Sequence, residues 1–108
     1  MRFVVFGCQP NAGEKKKPDG TMMVWNKVDL QCICSDPSPV AKKKCDSGNY
    51  AQVISVKNDF DRFVITNGFQ VHSFSDLRFC EIDVSIGFTG KVEAITVLSQ
   101  DGITQLIN

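Results

Sequence analysis

The stretch that most constrains this chain is Met22–Cys34, MMVWNKVDLQCIC, the longest alternating pattern in the sequence. Successive side chains on a strand point to opposite faces. The even positions Met22, Val24, Val28, Leu30, Cys32 and Cys34 are apolar, with Asn26 the one polar interruption, and are expected to face a core. The odd positions are mixed, and that register sets Trp25 and Lys27 side by side on the outer face. Just upstream, Lys15, Lys16 and Lys17 form a cationic cluster. An exposed aromatic beside ammonium groups suits a single-stranded nucleic acid, the ring stacking on a base while the lysines meet phosphates. The plainer alternative is a solvated loop followed by a strand whose Trp packs on a neighbouring strand.

At 108 residues the chain is expected to form one domain, residues 1–108, with a modest core. Its 43% hydrophobic and 22% charged content excludes a disordered or collagen-like chain. The net charge is zero but unevenly spread. Residues 14–45 carry seven lysines against four carboxylates, and residues 46–108 carry four basic against eight acidic side chains. A polyanion must therefore be held locally, by the first half. Only four apolar residues, Phe3–Phe6, precede Gly7, too few for a signal-peptide core. No apolar run approaches the ~20 residues that span a bilayer. The expectation is a soluble, cytoplasmic protein without membrane contact. Five cysteines in a reducing compartment are expected to be free thiols.

In chain order, Arg2–Gly7 predicts a largely buried first strand. Cys8–Gly20 collects Pro10, Asn11, Gly13, Pro18 and Gly20 around three lysines and is expected to be a mobile connection, a flexible cationic wing on a hairpin with Met22–Cys34. Ser35–Asn49 is a second break, where Asp36-Pro37 and Ser38-Pro39 force extended or turn geometry and Lys42, Lys43 and Lys44 add a cationic patch. Tyr50–Lys57 predicts a strand. Asn58–Phe63 predicts one helical turn with Asn58 as N-cap, Phe60 and Phe63 sharing a face. After the Asn67-Gly68 turn signal, Phe69–Ser73 is expected to be a short strand. Phe79–Ile86 alternates, with Cys80, Ile82, Val84 and Ile86 inward and Phe79, Glu81, Asp83 and Ser85 outward. Gly87-Phe88-Thr89-Gly90 is a tight loop, Lys91–Leu98 the returning strand, and Gly102–Ile107 a last edge strand. About five to six short antiparallel strands with one helical turn predict an all-β fold, a small OB-like barrel.

Other chemistry is weakly signalled. Cys32-x-Cys34 puts two thiols on one strand face with Cys45 after ten intervening residues, but Cys80 or His72 would have to complete a zinc site from afar, and thiols on a core face behave as small hydrophobes. The carboxylate pairs Glu81/Asp83 and Asp59/Asp61 fall where solvated faces are expected, and His72 lacks a nucleophile-elbow context. No metal, no cofactor and no enzymatic activity are expected. Phe88, at the tip of a glycine-flanked hairpin, can stack on a base, pack on a second subunit or cap its own barrel.

The layout resembles the single-stranded-DNA-binding proteins of filamentous phages. The basic, glycine-containing loop ending in Lys17-Pro18 is similar, as are Val28–Cys32 followed by Gly48–Lys57, and Asp83–Val92. The resemblance covers most of the chain in pattern, with few identical residues. It implies an OB-like barrel that dimerises and coats viral DNA, its final hairpin by the dimer axis. Carried over by position, Lys16 and Lys17 meet phosphates, Lys57 lies along the groove and the Phe88 ring reaches DNA on the neighbouring subunit. The aromatic that the family places just after Lys-Pro is absent, Asp19 and Gly20 standing there, and the segment 35–45 is longer than in the family.

The resulting expectation is binding of single-stranded DNA, or RNA, without strong sequence preference, by a homodimer. Lys15, Lys16, Lys17, Lys27, Lys42, Lys43, Lys44 and Lys57 would track the backbone, and Trp25 and Phe88 would stack. The alternative is a small phage-type protein that inhibits or adapts another protein through its loops.

Overall fold

The computed structural model describes residues 1–35 and 51–107. Within them the chain is all-β, a six-stranded mixed sheet with short helical pieces. The strands are β1 (Arg2–Lys16), β2 (Met22–Cys34), β3 (Ala51–Lys57), β4 (Val64–Ile65), β5 (Glu81–Ile86) and β6 (Val92–Ser99). Helix α1 (Phe60–Phe63) joins β3 to β4, a 3-10 turn spans Phe74–Leu77, and α2 (Gly102–Ile107) follows β6. The ladder runs β3-β2-β1-β5-β6-β4, antiparallel except for the parallel pair β4–β6. Its ends are β3 and β4.

The first hairpin is longer and more regular than its composition suggests. Residues 8–16, expected to be mobile, continue β1 and pair with β2 as far as Lys16 opposite Met22. Pro18-Asp19-Gly20 supplies the reason: Pro presets the first turn position, and Gly20 adopts φ 90°, which a side chain resists. The turn closes with Gly20 N–H donating to the Lys17 carbonyl and Lys17 N–H to the Thr21 carbonyl. The Thr21 hydroxyl donates to Asp19 at 2.6 Å and holds that carboxyl below its ordinary range. Lys17 and Thr21 are thus a hydrogen-bonded pair, and bonded pairs alternate along an antiparallel ladder. Pro10, opposite Val28, falls at a non-bonded position, so its missing N–H would have pointed away from β2. β5 pairs with β1 only from Arg2 to Val4, so no strand among the described residues pairs with that side of Pro10.

One core cluster unites the inner faces of the sheet. Val28, Leu30 and Cys32 of β2, Ile54 and Val56 of β3, Ile82 and Val84 of β5, and Ile95 and Val97 of β6 are buried together with Phe3, Phe74 and Leu77. Burying each of the larger aliphatic side chains stabilises the fold by roughly 1.5–3 kcal/mol. The inward register of β2 holds for Val28, Leu30 and Cys32. It fails at the far end of the hairpin, where Val24 is 71% exposed and Met22 is exposed too. Those residues keep the inward parity but project beyond the last element that could cover them. Cys34 is half-buried at the other end.

The alternation in β5 is also interrupted. Glu81, expected outward, is 6% exposed and accepts a hydrogen bond from the Ser35 hydroxyl at 3.0 Å. Ile86, expected inward, is exposed. Glu81 keeps its outward parity, opposite Val4 of β1, which is also buried but outside the core cluster, so the outer face is covered there. The register shifts beside Glu81 and Ile86 leave Leu98 and Glu93 of β6 unpaired, not residues of β5.

Two further expectations are corrected. Gly102–Ile107 is helix α2 instead of an edge strand: Gly102 N–H donates to the Phe79 carbonyl, and a Cβ there would meet the backbone of Phe79–Glu81. Phe69–Ser73 forms no strand; a Val71 N–H bond to the Phe69 carbonyl turns it locally. The Asn67-Gly68 turn before it is present, both residues at positive φ. β4 was not foreseen, since two residues carry no periodicity. At α1 the N-cap is Asp59, not Asn58, and its side chain makes no capping bond. Asn58 instead donates to the Asn26 side chain across the sheet. Phe60 and Phe63 both pack against the core, Phe60 edge-on to Phe74 at 5.5 Å.

Candidate nucleic-acid interface

The β2–β3 register decides what this surface can do. The β2 and β3 partners keep a constant offset that also pairs Asn26 with Asn58, and Asn58 N–H donates to the Asn26 carbonyl at 3.1 Å. Residues 52, 54 and 56 of β3 therefore bond to β2, and the pairs Lys27–Lys57, Asp29–Ser55 and Gln31–Val53 are non-bonded pairs, in which side chains approach most closely. Lys27 and Lys57 are thus set directly opposite each other. Like charges in that position oppose pairing.

Nothing among the described residues neutralises them. Asp29, two residues along the same face, has both oxygens occupied by neutral donors: the Ser55 hydroxyl at 2.6 Å and the Asn11 amide at 3.2 Å. Asn11 in turn accepts the Trp25 indole N–H at 3.1 Å. A polar chain thus crosses β3, β2 and β1 and ends by fixing the edge of the indole ring. The ring itself lies on Gly13, its partner on β1, where a Cβ would come 2.5 Å from ring carbon Cζ2. The plainer expectation for Trp25, packing on a neighbouring strand, describes this contact, and the residue is half-buried.

Trp25, Lys27 and Lys57 all border a groove of about 950 Å³. One wall is β2 and the edge of β3, the other α1 and the β5–β6 hairpin. Arg62 and Lys91 face it as well, and no carboxylate among the described residues lines it. Neither was singled out from the sequence. Both are isolated charges in segments that carry more acid than base, and only the fold sets them across from Lys27 and Lys57. The Arg62 guanidinium lies 5.3 Å from the centre of the Phe63 ring, and both residues line the groove. Val24, Ile86 and Val92 add apolar wall. Among the described residues, the Met1 ammonium with Asp83, at 2.8 Å, is the one ion pair.

The other expected contacts lie elsewhere. Lys15 and Lys16 stand opposite Met23 and Met22 at the end of the first hairpin, and Lys17 enters its turn, beyond the groove-lining part of β2. Phe88 is fully exposed on the β5–β6 turn, closed by Gly90 N–H to the Gly87 carbonyl with Gly90 at φ 81°. It does not line the groove, although Gly90 and Lys91 do. Lys42, Lys43, Lys44 and Cys45 lie outside the described residues.

Cys32 is in the core, and burial pushes its thiol up to about 12 from an ordinary 9.0. Burial raises Cys80 too, with the nearby Asp76 charge adding to it. Among the described residues no three His, Cys, Asp or Glu side chains converge. No helix there is long and apolar enough to cross a membrane. No protein-family model matches the chain, and no curated protein or solved structure matches it.

Proposed function

We propose that this protein binds single-stranded DNA with little sequence preference. The observation that carries the reading is the groove itself, bordered by Lys27, Lys57, Arg62 and Lys91 and by no carboxylate among the described residues. A polyanion entering it relieves the repulsion between the opposed lysines and releases its own counterions. Trp25, held by Gly13 and Asn11, offers a base a ring already oriented, so little entropy is lost on stacking. Phe88 provides a second aromatic at the hairpin tip, and Lys15–Lys17 extend the cationic path along the first hairpin. Stacking and charge read no base edges, which is why sequence preference is weak. The protein acts as a homodimer, as the phage-type resemblance implies.

The test is a titration of labelled oligo-dT at several salt concentrations, beside size-exclusion chromatography with light scattering. Binding that weakens with salt, by about 0.7 in log–log slope per phosphate contact, supports the reading. Failure to bind oligo-dT at ~50 mM salt overturns it, since electrostatic binding is strongest at low salt.

A further inference from the structure

We infer that the open edge of β3 accepts an extended acidic peptide as an added strand, and that this peptide competes with single-stranded DNA for the groove. The competition rests on the nucleic-acid reading above; the strand addition does not.

β3 is an end of the ladder. Because residues 52, 54 and 56 bond to β2, the N–H and C=O of Val53 and Ser55 and the N–H of Lys57 point away from it. None of these has a partner among the described residues. Exposed edges are ordinarily blunted by proline, bulges, scattered charge or shortness. The other ladder end, β4, is two residues long. β3 pairs with β2 over seven consecutive residues without a bulge, contains no proline and carries one charge, at its last residue. On its outer face Val53 is 63% exposed.

The groove confirms which side of β3 it meets. Six consecutive residues, 52–57, line it. Side chains alternate between faces, so a wall built from consecutive residues is presented by the strand's edge. A peptide backbone laid there, about 4.8 Å from β3, completes hydrogen bonds that a nucleic acid cannot.

The same geometry selects the peptide's side chains. Along an added strand, one set of alternate residues meets the inner side with Val56, Phe63 and Val92, which favours apolar groups. The other set shares the outer face with Lys27 and Lys57, which favours carboxylates. β3 itself, AQVISVK, contains no carboxylate, so a second copy's β3 does not meet this requirement.

The test uses a fluorescein-labelled peptide of alternating Glu and Val. Its controls are the Lys–Val counterpart and a Glu–Val peptide N-methylated along one edge, which keeps charge and removes pairing. The Glu–Val peptide should bind the intact protein and displace oligo-dT, the Lys–Val peptide should not bind, and N-methylation should weaken binding by about tenfold or more. Val53→Pro, which removes an outward N–H and leaves the β2 ladder whole, should weaken the peptide to the same degree as N-methylation does. Equal binding of the N-methylated peptide overturns strand addition, because charge alone then accounts for it. So does a failure of the Glu–Val peptide to bind, or a concentration-dependent dimer that Val53→Pro abolishes, which gives the edge to a second copy. Peptide binding without displacement of oligo-dT overturns the competition. Absence of oligo-dT binding to the wild-type protein removes the nucleic-acid reading and the competition, and leaves the strand addition to be judged by the peptides.

Discussion

Lys27 and Lys57 face each other as a non-hydrogen-bonded pair on neighbouring strands, and Asp29, two residues from Lys27 on the same face, is already satisfied by Ser55 and Asn11. A folded chain gains nothing from that arrangement unless an anion comes to it. Stability and binding should therefore respond to this pair with opposite signs.

Lys57→Glu is the direct test of that opposition. It converts a repulsive cross-strand pair into an attractive one, worth roughly 0.2–1 kcal/mol, so the thermal midpoint should hold or rise slightly. Oligo-dT binding should fall sharply, and the salt slope should flatten by about 0.7 or more. A variant that loses stability and keeps its oligo-dT affinity would show that the pair serves the fold.

Trp25 is the single tryptophan, so its fluorescence reports its own environment. Oligo-dT should quench it, and Trp25→Ala should weaken binding by roughly five- to a hundredfold, with little change in salt slope because no ion contact is lost. Gly13→Ala should shift the emission and reduce affinity without removing the indole, since the added methyl occupies the ring's place. Unchanged emission in Gly13→Ala would contradict the packing described.

Phe88 should separate binding from folding. Its side chain is fully exposed, so Phe88→Ala should leave the denaturant midpoint where it is. If the ring stacks on a base, oligo-dT affinity falls by a salt-independent ~1–3 kcal/mol. A fall in stability of the isolated chain would mean that the ring packs on its own chain in solution.

The thiols should react in order of exposure. Cys32, with its thiol pushed up to about 12, should be the last of Cys8, Cys32, Cys34 and Cys80 to be alkylated, as mapped by mass spectrometry. The folded state disfavours the Cys32 thiolate, so its contribution to stability is complete below about 9, the ordinary value, and declines as pH rises toward about 12. Early modification of Cys32 under native conditions would contradict its place in the core.

Leu30 and Val24 share a strand face and differ in outcome. Leu30→Ala should cost about 2–5 kcal/mol in chemical unfolding, because it empties a fully buried site. Val24→Ala should change stability by less than about 0.5 kcal/mol. Equal costs would move the boundary of the core to the end of the hairpin.

The contrast between those two residues marks how far the sequence alone reaches. The strands Met22–Cys34 and Lys91–Leu98, the Asn67-Gly68 and Gly87–Gly90 turns and the helical turn at Phe60–Phe63 all follow from local chemistry. Two-residue periodicity, fixed proline φ and glycine at positive φ act between near neighbours, so a single chain displays them. The same locality placed Trp25 beside Lys27. What it could not supply is where the core ends, because alternation gives Val24 and Leu30 the same parity and only the neighbouring elements cover one of them. Nor could it show that the outer face is covered at Glu81, or turn Gly102–Ile107 into a helix, which needs the backbone at Phe79–Glu81 as its floor. The groove belongs wholly to tertiary structure. Lys27, Lys57 and Lys91 are far apart in sequence, and their meeting with one another and with Arg62 depends on the pairing register of β2 with β3 and on the hairpin that closes opposite them. Like charges converge there because the buried face of each strand sets the register, and the exposed face must accept the neighbours that this register brings.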